Sequence, residues 1–193
     1  MKKIYYTEGH FKIDMIQFLS IINEQGIQMV FAPSRGGLIP AVRLSHLAEI
    51  PLGLLEGSRI DYKKETRILS SIPDNVKVIG IVDEILDTGE TMLNIIEAFK
   101  NLGDFKLVIL PLVTSSASKL NSKDANENLI IIDNRTVEEG VWIDFWWERP
   151  NKCMDCNEGE TCNKYPNYIH CNPKNKSFPY NYGCPNFIQK VKI

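Results

Sequence analysis

The chain has 193 residues, 44% hydrophobic and 24% charged, with a formal net charge of −2. That length supports one domain with a sizeable core. The near-neutral balance gives no electrostatic reason to expect nucleic acid, which leaves a basic footprint. No apolar run approaches the roughly 18 residues of a membrane span.

The first residues, MKKIYYTEGH, carry two lysines with no apolar stretch behind them. This does not read as a signal peptide, so a cytoplasmic protein is the expectation. All five cysteines lie between Cys153 and Cys184, in a stretch rich in Asn, Pro, Tyr and Lys. The shift predicts a core domain over 1–150 and a Cys-rich extension over 151–193.

Apolar residues at Phe11, Met15, Phe18, Leu19 and Ile22 fall at helical spacing, and Gly26 follows as a stop. Gln28 to Ala32 reads as a buried strand ended by Pro33. A second helix is expected from Leu38 to Glu49, with Pro40 in its first turn, where a missing N–H costs little. Leu52 to Leu55 reads as a strand. Glu56 to Asn75 is polar and aperiodic and is expected to be a long loop.

Val76 to Val82 is a β-branched run, followed after Gly89 by a helix with apolar positions at Met92, Ile95, Ile96, Phe99 and Leu102 and Gly103 as its stop. Strands over Leu107–Val113 and Leu129–Ile132 complete the pattern. Strands alternating with helices of about a dozen residues predict an α/β fold: a mostly parallel sheet with helices on both faces. His10 and His46 read as ordinary helix residues.

The segment VIGIVDEILDTGETM, Val78 to Met92, carries the densest chemistry. Its strand delivers Asp83 and Glu84 to a carboxyl edge, where open α/β sheets bind ligands. Asp87, Thr88, Gly89, Glu90 and Thr91 follow at a helix start, whose free N–H groups and partial positive charge suit a phosphate. Carboxylate oxygens just upstream suit Mg²⁺ or ribose hydroxyls. The plain alternative is a capped helix with exposed acids. Earlier, Ser34, Arg35, Gly36 and Gly37 join a strand end to a helix start, where glycines permit close approach of an anion and Arg35 offers a planar fork. Trp142, Trp146 and Trp147, all the tryptophans of the chain, crowd into WIDFWWERP. An exposed Trp face can stack on a planar base, although aromatics also gather in plugs and interfaces.

VIGIVDEILDTGETM resembles the phosphoribosyl pyrophosphate signature of type I phosphoribosyltransferases: four apolar residues, two acids, then TG after three further positions. SRGG resembles the pyrophosphate loop of the xanthine-guanine members, and WIDFWWE their WI-x-F-P-W-E element, with Trp146 in place of the proline. The acid pair is Asp-Glu, where Asp-Asp or Glu-Asp is more usual. The resemblance implies that a sugar is joined to a purine-like base in purine salvage, with pyrophosphate released.

It further implies that Asp83 and Glu84 hold ribose hydroxyls and Mg²⁺, that residues Asp87 to Thr91 cradle the 5′-phosphate, and that Asp87 handles the base proton. Ser34 to Gly37 would meet pyrophosphate, Trp142 would stack on the base, and the Ile143 carbonyl would contact its exocyclic group. Tyr62 and Lys63 fall where the family has its flexible catalytic loop. A homo-oligomer is implied as well. The family's base-reading lysine is not evident in Leu110 to Ser115: Lys119 reaches in, a hydroxyl or amide serves instead, or the base differs. A binding protein of the same fold that regulates a partner without turnover is the rival reading.

The resemblance stops near Pro150. Beyond it, Cys153, Cys156 and Cys162 with Cys171 or Cys184 supply a C-x₂-C pair and further thiolates for a structural Zn²⁺. An iron–sulfur cluster or free thiols are the alternatives. Lysines and tyrosines in this tail make single-stranded nucleic acid conceivable, and Asp155, Glu158 and Glu160 weigh against it.

Overall fold

The computed structural model describes residues 2–33, 35–60 and 63–148; for 57–60 and 63–65 it describes the backbone alone. The chain through Ile143 forms one compact unit, and Asp144 opens a second. No helix among the described residues is long and apolar enough to cross a membrane.

The elements are β1 (Lys3–Tyr6), α1 (Glu8–Gln25), β2 (Met29–Pro33), α2 (Leu38–Ala48), β3 (Leu52–Ile60), β4 (Lys63–Ile68), β5 (Val78–Leu86), α3 (Glu90–Leu102), β6 (Lys106–Ser115), β7 (Leu129–Ile131), β8 (Thr136–Val137) and β9 (Trp142–Phe145). Six strands follow the order β4-β3-β2-β5-β6-β7, and β8 adds to β6. Pairing is parallel throughout except for the β3–β4 hairpin. This is the mostly parallel α/β sheet expected of a type I phosphoribosyltransferase fold.

The sheet is covered on both faces, which is why β2 and β6 are apolar in near-continuous runs rather than alternating. Met29, Phe31, Ile79, Ile81, Leu107 and Ile109 turn to α3, where Met92, Ile95, Ile96 and Phe99 complete one core cluster. Phe99 meets Phe31 edge-on at 5.1 Å between ring centroids. On the opposite face α2 lies on β2 and β5, and α1 packs against α2 and β6.

Three sequence expectations are corrected. The stretch after Leu55 is not a long loop: β3 runs on to Ile60 and pairs antiparallel with β4, Leu55 opposite Ile68 and Ile60 opposite Lys63. A hairpin at a sheet edge is held by backbone bonds and needs no buried face, so its polar sequence carries no period. β5 extends through Asp83 and Glu84 to Leu86, so both acids lie within the strand. His10 is a capping residue: its Nδ1 accepts the Thr7 N–H at 3.3 Å while its own N–H donates to Thr7 Oγ1 at 3.2 Å, a reciprocal box at the start of α1.

Candidate active site at the carboxyl edge of the sheet

From β2 the chain passes through α2 to β3 on one side; from β5 it passes through α3 to β6 on the other. The connections part between β2 and β5, and a crevice at such a switch point is where open α/β sheets take ligands. The two predicted loops flank that crevice. Residues 35–37 turn from β2 into α2, and 87–89 turn from β5 into α3.

The first of these turns packs on β5 through its glycines. A Cβ on Gly36 would collide with the carboxylate of Glu84, and one on Gly37 would collide with the backbone carbonyl of Val82. Gly37 therefore needs a residue without a side chain for the turn to lie against β5, whereas a side chain at Gly36 would displace the Glu84 carboxylate. Arg35 is exposed beside them, and its carbonyl accepts the Leu38 N–H at 3.2 Å. Ser34 lies outside the described residues.

Gly89 sits at φ +81°, the left-handed region, and is the N-cap of α3. Gly89 offers no side chain to cap this end; Thr88 Oγ1 accepts the Glu90 N–H at 3.5 Å, and the remaining N–H groups of the first turn suit an anion. Asp87, Thr88, Glu90 and Thr91 are all exposed around it. The turn is braced from the next strand's loop: the Lys119 N–H donates to the Thr88 carbonyl at 3.1 Å, and a Cβ on Gly89 would press Ser118 and Leu120 at 3.1–3.3 Å. Lys119 Nζ stands 3.8 Å from Glu90 Oε1. That places the lysine beside the turn from β5 into α3, not at the end of β6.

Asp83 and Glu84 are half-buried at the crevice. Burial pushes the Asp83 carboxyl up to about 7; the Glu84 N–H, 2.8 Å from Asp83 Oδ1, pulls it down, and the Glu84 carboxylate adds to the rise. A desolvated acid that holds its proton this tightly gains most from a nearby cation or hydroxyl donors. The pair therefore fits Mg²⁺ as two hard oxygen ligands. Among the described residues no group of three or more His, Cys, Asp or Glu could hold a metal.

Trp142 stands at the start of β9 with 53% of its surface exposed, while Ile143 is buried. β9 pairs with β1 in a separate two-stranded sheet, and the Trp142 N–H donates to the Lys2 carbonyl at 2.9 Å. In the unit opened by Asp144, Trp147 stacks on Phe145 with ring centroids 4.8 Å apart. Tyr62 and all five cysteines (Cys153, Cys156, Cys162, Cys171 and Cys184) lie outside the described residues; Lys63 opens β4.

Asp14 escaped the sequence reading. It is fully buried on α1, where its Oδ2 accepts from Tyr6 Oη at 2.6 Å and its two oxygens take both arms of Arg135 at 2.7 and 2.9 Å. The signal was present: a carboxylate on the apolar stripe of Phe11, Met15 and Phe18.

The phosphoribosyl transferase domain family matches residues 2–141. Orotate phosphoribosyltransferase of Desulforamulus reducens is 25% identical over 135 residues, covering 70% of this chain and 63% of that protein. Ribose-phosphate pyrophosphokinase 1 of Listeria monocytogenes is 23% identical over 145 residues, covering 72% of this chain and 41% of that protein. The chain thus spans less than two thirds of the length of these curated relatives. The crystal structure of purine phosphoribosyltransferase from Pyrococcus horikoshii superposes with a TM-score of 0.60 at 28% identity, over 77% of this chain and 95% of that one. Xanthine-guanine-hypoxanthine phosphoribosyltransferase of Helicobacter pylori gives a TM-score of 0.60 at 18% identity, over 79% and 97%, a likeness of fold. A switch-point crevice walled by two glycine turns and a carboxylate pair, in a chain matched over most of its length, makes this protein a member of the phosphoribosyltransferase family.

Proposed function

We propose that the protein transfers the 5-phosphoribosyl group from phosphoribosyl pyrophosphate to a purine-like base, releasing pyrophosphate and a nucleoside 5′-monophosphate. The observation that carries this reading is the approach of Gly36 to Glu84, which joins an anion-binding turn and a carboxylate pair across one crevice. The exposed start of α3, with glycine as its N-cap, supplies a second phosphate seat beside it.

In this reading the turn after β2 receives the pyrophosphate, with Arg35 as its cation. Asp83 and Glu84 hold the ribose hydroxyls and Mg²⁺. The metal, when bound, neutralises charge on the departing pyrophosphate. Asp87 to Thr91 hold the 5′-phosphate. A ring nitrogen of the base forms the new bond to C1 of the sugar as the bond from C1 to the pyrophosphate oxygen breaks, with inversion. Asp87, exposed at the turn, takes the proton that the ring nitrogen gives up. Both turns fix the sugar between them, so much of the barrier is met by positioning.

The exposed face of Trp142 supports a flat aromatic acceptor, and the 28% identical Pyrococcus protein is named for purines. Thr114 and Ser115, both buried, end β6 where a base-reading lysine would stand; hydroxyls there serve a different hydrogen-bond pattern on the base. Because a curated relative is named for orotate, acceptors must be compared directly. The test is turnover with Mg²⁺ and phosphoribosyl pyrophosphate across purines and orotate: a purine preferred over orotate supports the reading, and orotate preferred overturns the choice of base. For the tail we propose a structural Zn²⁺ on Cys153, Cys156, Cys162 and Cys171 or Cys184, on the strength of their spacing.

A further inference from the structure

A carboxylate with no solvent contact is retained in a fold only when fully paired, because burying an unpaired charge is costly. Asp14 is such a carboxylate, fully buried on α1, and takes no part in the chemistry proposed above. Its three side-chain hydrogen bonds go to two segments. Tyr6 is the last residue of β1, and Arg135 stands directly before β8. Arg135 also lies over the Tyr6 ring, 6.0 Å from its centroid.

Both segments lead to Trp142. β1 pairs with β9, where the Trp142 N–H meets the Lys2 carbonyl at 2.9 Å, and Lys2 Nζ pairs with Glu138 at 2.9 Å. From Arg135 the chain runs beside the end of β6: the Thr114 N–H donates to the Arg135 carbonyl at 2.7 Å, and the Ser116 N–H to the Val137 carbonyl at 2.8 Å. Thr114 in turn is in register with Leu86, the last residue of β5. One carboxylate on α1 therefore ties together both strands that set Trp142 relative to the carboxyl ends of β5 and β6.

We propose that Asp14, through Tyr6 and Arg135, is a positioning residue for the base: it fixes the place of Trp142 relative to the phosphate turn. The inference rests on the reading of Trp142 as the base platform. The bidentate geometry matters, since a planar fork fixes direction as well as distance. Losing the Tyr6 hydroxyl leaves the Asp14–Arg135 pair whole, whereas a lysine at 135 keeps the charge and loses the fork.

The test uses full-length Tyr6→Phe, Arg135→Lys, Arg135→Ala and Asp14→Asn proteins. KM for the base should rise roughly tenfold in Arg135→Ala, with kcat and the KM for phosphoribosyl pyrophosphate within about twofold of the parent. Tyr6→Phe and Arg135→Lys should fall between, the lysine giving partial rescue. A merely structural role would lower kcat and weaken both substrates together, and that pattern overturns the proposal. The same variants are also made on a Trp146→Phe/Trp147→Phe background, where acrylamide quenching reports Trp142 alone and needs no turnover. Changed quenching in Arg135→Ala supports the clamp even if no base is ever a substrate; quenching unchanged in both Tyr6→Phe and Arg135→Ala overturns it. Should Asp14→Asn not fold, the other three variants decide the matter.

Discussion

The Glu84 side chain of β5 lies directly over Gly36, so that the acid strand and the glycine turn after β2 share one surface. Its neighbour Gly37 is packed on the Val82 backbone carbonyl instead. The two glycines therefore predict different outcomes. Gly36→Ala meets the end of a flexible side chain, which can swing away, so stability should change by no more than about 1 kcal/mol. Binding of phosphoribosyl pyrophosphate should nevertheless be lost, because the swing displaces a ligand carboxylate. Gly37→Ala meets backbone and should destabilise the fold by about 1–3 kcal/mol. Paired thermal melts and donor-binding calorimetry separate the two.

Asp83 gives a pH dependence. Its carboxyl is raised from 3.8 to about 7 by burial, so between those values the folded chain binds more protons at this site than the unfolded chain. Stability from this group is highest below about pH 4, declines as pH rises towards 7, and is level above that. The decline amounts to at most about 4 kcal/mol, because each tenfold change in proton affinity is worth about 1.4 kcal/mol. Asp83 keeps part of its surface open to solvent, which makes this an upper limit. Denaturant melts across pH 4–8 should show that slope in the parent and its absence in Asp83→Asn. Donor binding with Mg²⁺ at pH 6 should release a proton, read as a dependence of the calorimetric heat on buffer ionisation.

Trp142→Ala removes the exposed platform while leaving the buried Ile143 and the crevice in place. KM for the base should rise by roughly ten- to hundredfold, which is the loss of about 1.4–2.7 kcal/mol of stacking. KM for phosphoribosyl pyrophosphate should not change. Steady-state kinetics with each substrate varied in turn provide the check.

How far the sequence could be read follows from which forces acted where. Elements packed into the core were plain: β2, β5 and β6 show as apolar runs and α3 as a helical stripe, because burial itself writes the pattern. The turn from β5 into α3 was equally plain, since Gly89 at positive φ and a helix start are local requirements that leave local residues behind. The β3–β4 hairpin was missed because an edge held by backbone bonds imposes no period on side chains. β1 and β9 were missed for a related reason: each is short and finds its partner about 140 residues away, which no local pattern records. Asp14 was overlooked because its partners, Tyr6 and Arg135, meet only in the folded chain, although a lone acid on an apolar stripe marks the place.

The cysteines lead to a prediction on metal content. With Cys153, Cys156, Cys162 and Cys171 or Cys184 as ligands, purified protein should carry one Zn²⁺ per chain by elemental analysis. Cys153→Ser and Cys156→Ser should each remove it, while binding of phosphoribosyl pyrophosphate by the Gly36–Glu84 crevice persists. Iron and acid-labile sulfide in place of zinc would assign a cluster instead.

The most direct test of the central claim is pyrophosphate release in the presence of Mg²⁺ and phosphoribosyl pyrophosphate. It should be run with guanine, xanthine, hypoxanthine, adenine and orotate, beside an Asp87→Asn control. The account predicts release with a purine, falling at least about 100-fold in the control, as expected when an acid–base group is removed. Tight donor binding with no release from any base would contradict it and leave a phosphoribosyl pyrophosphate-binding regulator in its place.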